Sequence, residues 1–131
     1  MPKVSSHTGK ELYRIEIKSP TGNTIIADEP ISVGGKDLGF SPTELLISAL
    51  AACTSATLRM YADRKEWDLK VVKVDIELER DEIANKTIIK RKLHLTGNLD
   101  ETQRARLISV ANSCPVHKIL TNPIEIETIM E

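Results

Sequence analysis

Two thiols, Cys53 and Cys114, are the side chains in this 131-residue chain best suited to covalent chemistry. A cysteine reacts as its thiolate, so a nearby cation or helix N-terminus separates a reactive thiol from an inert one. Cys53 lies among alanines and leucines, and the residues one turn away, Ala49, Leu50, Ala56 and Thr57, carry no charge. Packing and reactivity are both open to it, since a free cysteine serves well as a small buried hydrophobe. A reactive Cys53 needs its cation from another segment or another subunit. Cys114 precedes Pro115, and if that proline opens a short helix the thiol sits at the N-cap, where the helix dipole favours a thiolate. A simple Cys-Pro chain reversal is the other reading. Cys114-x-x-His117 has zinc-ligand spacing, but a closed site needs four ligands and the Cys53 segment offers no second one, so no metal is expected. His7 in the polar N-terminal stretch and His94 in a strand read as solvated or locally satisfied.

The segment that must position Cys53 runs from Ser41 to Arg64, SPTELLISALAACTSATLRMYADR. Ser41 and Glu44 form a Ser-x-x-Glu capping box, and Pro42 falls where its missing N–H costs nothing. Residues Leu45 to Cys53 are apolar or small on nearly every face, which predicts a buried core helix. The apolar run is too short for a bilayer and leads into Arg59, Asp63 and Arg64, which read as surface charges, so no membrane span is expected. Nine residues separate Glu44 from Cys53, about two and a half helical turns and about 13 Å along the axis. The carboxylate therefore sits on the opposite face and is first of all a capping group; it could reach a thiol only across a dimer.

Around this helix the pattern is that of strands. Tyr13 to Lys18 alternates apolar and charged residues, Pro20 to Asn23 is a turn, and Thr24 to Ala27 completes a hairpin. The glycine-rich loop Val33 to Phe40 lacks the ending of a phosphate-binding loop. Val72 to Arg80 and Thr87 to Thr96 form a second hairpin, with charges at alternate positions that predict one solvated face. Asp100-x-x-Gln103 starts a second helix with the stripe Leu107, Ile108, Val110 and Ala111, ending near Ser113. A short turn, Val116 to Leu120, and a last alternating strand, Ile124 to Ile129, complete the chain. The fold class is α+β, a mostly antiparallel sheet wrapped on a long buried central helix, in a single domain over residues 1–131. So apolar a helix is hard to cover in so small a chain, which predicts that part of it meets a second subunit.

Composition narrows the function. With 18 Lys plus Arg against 19 Asp plus Glu, nothing draws the chain to nucleic acid or an anionic membrane. One Trp, two Tyr and one Phe leave little for base stacking. The N-terminal stretch has no apolar secretory core, so a cytoplasmic location is expected, where two cysteines are packing residues or a redox pair.

Taken together, Ser41-Pro42-Thr43-Glu44-Leu45-Leu46, Leu50-Ala51-Ala52-Cys53-Thr54, Leu58 to Ala62 and the distant Ser113-Cys114-Pro115-Val116-His117-Lys118 resemble the OsmC/Ohr family of thiol-dependent hydroperoxide reductases. The resemblance implies an intertwined homodimer with sites at the subunit interface and a role in oxidative stress, without a cofactor. It implies that Cys53 attacks an organic hydroperoxide to give a sulfenic acid, that Cys114 resolves it to a disulfide, and that an external dithiol reduces the product. In the best-characterised branches an acidic residue stands ten positions before the helix cysteine; here Thr43 holds that place, with Glu44 next. Those branches also use an arginine from the N-terminal hairpin, and Arg14 is the only one in this hairpin. A non-catalytic dimeric module binding a hydrophobic ligand in the interface cavity is the competing expectation.

Overall fold

In the computed structural model, which describes residues Met1 to Glu131, the alternating segments form two antiparallel arrangements linked by the long helix. Two units, Met1–Leu46 and Ile47–Glu131, each hold together internally. The first contains β1 (Ser5–His7), β2 (Ile15–Lys18) and β3 (Thr24–Ala27), in the order β1-β2-β3. β1 is too polar for a hydrophobic pattern to reveal it; it forms because backbone groups of Ser5, Ser6 and His7 pair with Lys18, Ile17 and Glu16.

Asp28, fully buried, organises the loop that follows. Its carboxylate accepts from the backbone N–H groups of Tyr13 at 3.1 Å, Glu29 at 2.7 Å and Leu38 at 3.2 Å. A buried carboxylate is tolerable only with such donors. Burial pushes its pKa up, and the N–H groups of Glu29, Leu38, Tyr13 and Lys36 outweigh that and leave it below the ordinary carboxylate value.

α1 (Pro42–Arg64) starts with the expected capping box: Glu44 accepts from the Ser41 N–H at 2.9 Å and Ser41 Oγ accepts from the Glu44 N–H at 3.3 Å. By length and mean hydropathy, 1.4 over its most apolar window, α1 would suffice to cross a bilayer, yet it spends one stripe on a protein core. That stripe is Leu50, Thr54, Leu58 and Ala62, one turn apart. The expectation of a helix buried on every side is corrected here. Leu46, Ala49, Ala52, Ala56 and Met60 are exposed, because within one chain a single sheet and a short helix cover only one face.

The second unit is built on β4 (Asp68–Asp81) and β5 (Lys86–Asn98), a long antiparallel pair with Val74 opposite Leu93 and Ile76 opposite Arg91. Val72, Val74, Ile76 and Leu78 on β4, and Ile89, Arg91, Leu93 and Leu95 on β5, share the half-buried face, while Lys73, Asp75, Lys92 and His94 face water. A register shift between Leu69 and Val71 falls beside Gly97, whose φ of 149° only glycine adopts readily, and where a Cβ would collide with the Asp68 carbonyl. α2 (Glu101–Ala111) opens on an Asp100–Gln103 capping box and buries Leu107, Val110 and Ala111. Ile108, expected in the same stripe, is exposed. The core joins Leu58, Ala62, Leu69, Leu107, Val110 and Ala111, edged by Tyr61, Trp67, Val72 and Leu93.

α3 (Pro115–Leu120) replaces the expected turn after Cys114. The expected final strand is absent: Ile124 to Ile129 has no regular structure and is exposed. Alternating Ile and Glu suits a pleated surface, but a strand needs a hydrogen-bonded neighbour, and β4 and β5 pair only with each other.

Two substitutions test these assignments. Leu58, with no exposed surface, should cost about 2–5 kcal/mol of stability when truncated to Ala, read as a lowered urea midpoint at fixed protein concentration. Because the folded Asp28 binds its proton less readily than the unfolded chain, its contribution is full above the ordinary carboxylate pKa and lost as pH falls through the lowered folded value. Asp28→Asn should therefore be less stable than the parent at neutral pH, with the gap closing in acid; a constant gap across pH would contradict this.

Candidate active site

Both cysteines are free and converge on the first turn of α3. α1 carries Cys53, half-buried, next to the fully buried Thr54. Cys114 is the N-cap of α3, in extended conformation with φ −67° and ψ 143°, as the residue before a proline must be. Its Sγ accepts from the His117 N–H at 3.3 Å, and the Val116 N–H points to Cys53 Sγ at 3.5 Å. Two successive peptide N–H groups of one turn thus serve the two sulfurs. The Cys53 thiol is close enough to be among the groups that favour the Cys114 thiolate.

The cation comes from β5. The Arg91 guanidinium donates to Thr54 Oγ1 at 3.0 Å, to Asn112 Oδ1 at 3.0 Å and to His117 Nδ1 at 3.1 Å. Thr54 in turn donates its hydroxyl to the Leu50 carbonyl at 2.7 Å and stands 4.0 Å from Cys114 Sγ. Burial pushes the Cys114 thiol up, but the His117 N–H, the Cys53 thiol, Thr54 and the Arg91 charge together leave it below its ordinary value. Burial, then the Arg91 charge, lower the His117 pKa as well. Beside these groups opens a cavity of about 220 Å³, with apolar walls from Leu50, Ile89 and Leu120 and polar groups from Arg91, His117, Thr87 and Thr121.

Chemically, two adjacent thiols, one of them acidified, can exchange two electrons by closing to a disulfide, and the cavity gives a small, partly apolar molecule a place against Arg91 and His117, the residues that adjoin the thiol turn. No three His, Cys, Asp or Glu side chains cluster in metal-binding geometry. His117 turns its Nδ1 onto Arg91 instead.

Of the residues singled out by sequence, the fold brings Cys53 and Cys114 together, both in the second unit. Glu44 and Arg14 belong to the first unit. Glu44 caps α1, and the Ser41 backbone and hydroxyl hold its carboxyl below the usual value. Arg14 is half-buried immediately before β2. Arg91 escaped the sequence reading because it lies inside the charge run Lys90-Arg91-Lys92, which looks like a solvated edge. Its parity held the signal: Ile89, Leu93 and Leu95 alternate with it on the inner face, so Arg91 is the one charge that must point inward.

A protein-family model for OsmC-like proteins matches residues 34–129, and the chain belongs to that family. No curated protein sequence matches it. Among solved structures, the fold is similar to an OsmC-like protein from Mycoplasma pneumoniae, with a TM-score of 0.78 at 21% identity over 92% of this chain and 86% of that one. It is also similar to an organic hydroperoxide resistance protein OsmC from Legionella pneumophila, with a TM-score of 0.69 at 21% identity, over 92% and 89% of the two chains. The organic hydroperoxide resistance protein OhrB of Bacillus subtilis superposes with a TM-score of 0.64 at 22% identity, over 92% and 90%.

Removing the Arg91 charge removes one of the influences that acidify Cys114. In Arg91→Met the pH at which this thiol ionises should rise, followed by thiolate absorbance or alkylation rate against pH in a Cys53→Ser background; an unchanged profile would take Arg91 out of the thiol's electrostatics.

Proposed function

We propose that this protein is a thiol-dependent reductase of small organic hydroperoxides, acting as a cytoplasmic homodimer in the response to oxidative stress. The observation that carries the reading is the convergence of two free thiols, Cys53 from α1 and the N-cap Cys114, at the first turn of α3, with the Arg91 charge acting on Cys114. Membership in a family that includes organic hydroperoxide resistance proteins supports it.

Cys53 takes the attacking role because it is half-buried, whereas Cys114 has no exposed surface. The Cys53 thiolate attacks the terminal oxygen of the hydroperoxide; an S–O bond forms, the O–O bond breaks and the alcohol leaves. The Cys114 thiolate then attacks the sulfenic sulfur, closing a disulfide and expelling hydroxide, which leaves as water. An external dithiol returns both cysteines to thiols.

The uncovered face of α1, with Leu46 44% and Met60 68% exposed, supports a second copy packing there, as do the unpaired Ile126 and Ile129. Across that interface we assign Arg14 and Glu44 auxiliary roles near the partner's Cys53. The cavity with its apolar walls favours one other reading, a non-catalytic module that holds a hydrophobic ligand.

The test is consumption of cumene hydroperoxide by the reduced protein with a dithiol. Wild type should turn over, Cys53→Ser should not, and Cys114→Ser should oxidise once and stall as a trappable sulfenic acid. Wild-type consumption no faster than that of Cys53→Ser would leave the ligand-binding reading standing instead.

A further inference from the structure

The tautomer of His117 follows from its neighbour. Arg91 Nη2 lies 3.1 Å from His117 Nδ1, and a guanidinium has donors but no acceptor. Nδ1 must therefore present its lone pair, which places the ring proton on Nε2 and excludes the doubly protonated ring while this bond holds. Nε2 makes no hydrogen bond within the chain, and His117 lines the cavity beside Leu50, Ile89 and Leu120. Its own backbone N–H is bonded to Cys114 Sγ, and the preceding N–H, of Val116, points to Cys53 Sγ. The residue is thus held through its backbone by the thiol turn and through Nδ1 by Arg91, with one ring N–H left for an incoming molecule.

We propose that the His117 Nε2–H is the hydrogen-bond donor that receives the leaving oxygen when Cys53 attacks a hydroperoxide. The role rests on the hydroperoxide reading given above. In that step the thiolate forms an S–O bond to the terminal oxygen of R–O–O–H, and the electron pair of the broken O–O bond leaves on RO⁻. Sulfur is oxidised by two electrons and the peroxide reduced by two. RO⁻ takes a proton from water and departs as ROH, replacing the proton that the thiol released on ionising.

Neutral His117 does not give its proton away. It stabilises charge as it develops on RO⁻, as a preorganised oxyanion donor does. Both Nη2 donors of Arg91, and one on Nη1, are engaged by Asn112, His117 and Thr54, so the nitrogen nearest His117 has no N–H to spare. Arg91 instead keeps the histidine neutral and aimed. A tertiary or secondary alkoxide is a poor leaving group and needs this help, while a carboxylate leaving from a peracid does not.

The dependence on leaving group supplies the test. His117→Asn keeps an oxygen able to accept from Arg91 but has nothing at the Nε2 position; His117→Gln carries an amide N–H at about that reach. Single-turnover oxidation of Cys53 is followed for each full-length variant with tert-butyl hydroperoxide and with peracetic acid. The Asn variant should lose about 10²-fold with the alkyl hydroperoxide and stay within a few-fold of wild type with the peracid, and Gln should recover part of the loss. Equal losses with both peroxides, or none with either, would overturn the role of His117 while leaving the hydroperoxide reading intact. A wild type inert to both oxidants would overturn that reading, and this one with it.

Discussion

The geometry of the second unit depends on one inward-pointing cation. Arg91 sits on the core face of a sheet, where an unpaired charge would be expensive, and the expense is met by three acceptors drawn from three helices. Thr54 comes from α1, Asn112 is the C-cap of α2 and His117 lies on α3. A planar guanidinium offers its donors at fixed angles, so it constrains direction as well as distance. Hydrophobic contacts among Leu58, Leu107 and Leu69 can hold helices against a sheet, but they tolerate sliding. Arg91 does not, and it fixes how far along β5 each helix end must stop.

The sulfur chemistry follows from that constraint. With Thr54 and His117 held by a common side chain, the turn between Cys114 and His117 is set against α1, and the N–H groups of Val116 and His117 face the sulfurs. The two thiols are more than sixty residues apart in sequence, yet one turn of backbone serves both, and the Arg91 charge acts on Cys114.

The elements were largely legible in the amino-acid order, since capping at Ser41 and Asp100 and period-two alternation in β2, β4 and β5 are local signals. What failed were statements about partners. Ile124 to Ile129 carries a strand's pattern but finds no neighbour in its own chain, and β1 finds a neighbour without carrying the pattern. The all-round apolar character of α1 was read as burial on all sides, whereas within one chain it is burial on one stripe. Cys-Pro allows an N-cap at Cys114 and equally a plain chain reversal, and only the helix α3 decides for the first. Arg91 could not be separated from Lys90 and Lys92 by composition, because charge is the same on either face of a strand and only the phase of the alternation tells them apart. His117, considered for zinc, gave no hint of its tautomer, which depends on a residue 26 positions away.

That both sulfurs take their closest N–H groups from the main chain has a consequence for how such a site can drift over generations. A peptide N–H survives every replacement of its side chain except by proline. Position 116 can exchange valine for almost any other residue and still present the same donor to Cys53, so selection can act there on shape and solubility with little effect on reactivity. Structures that share this fold at 21–22% identity belong to a world in which most side chains have been exchanged. A site built partly from amides inherits its electrostatics from the path of the chain, and the path changes far more slowly than the residues strung along it.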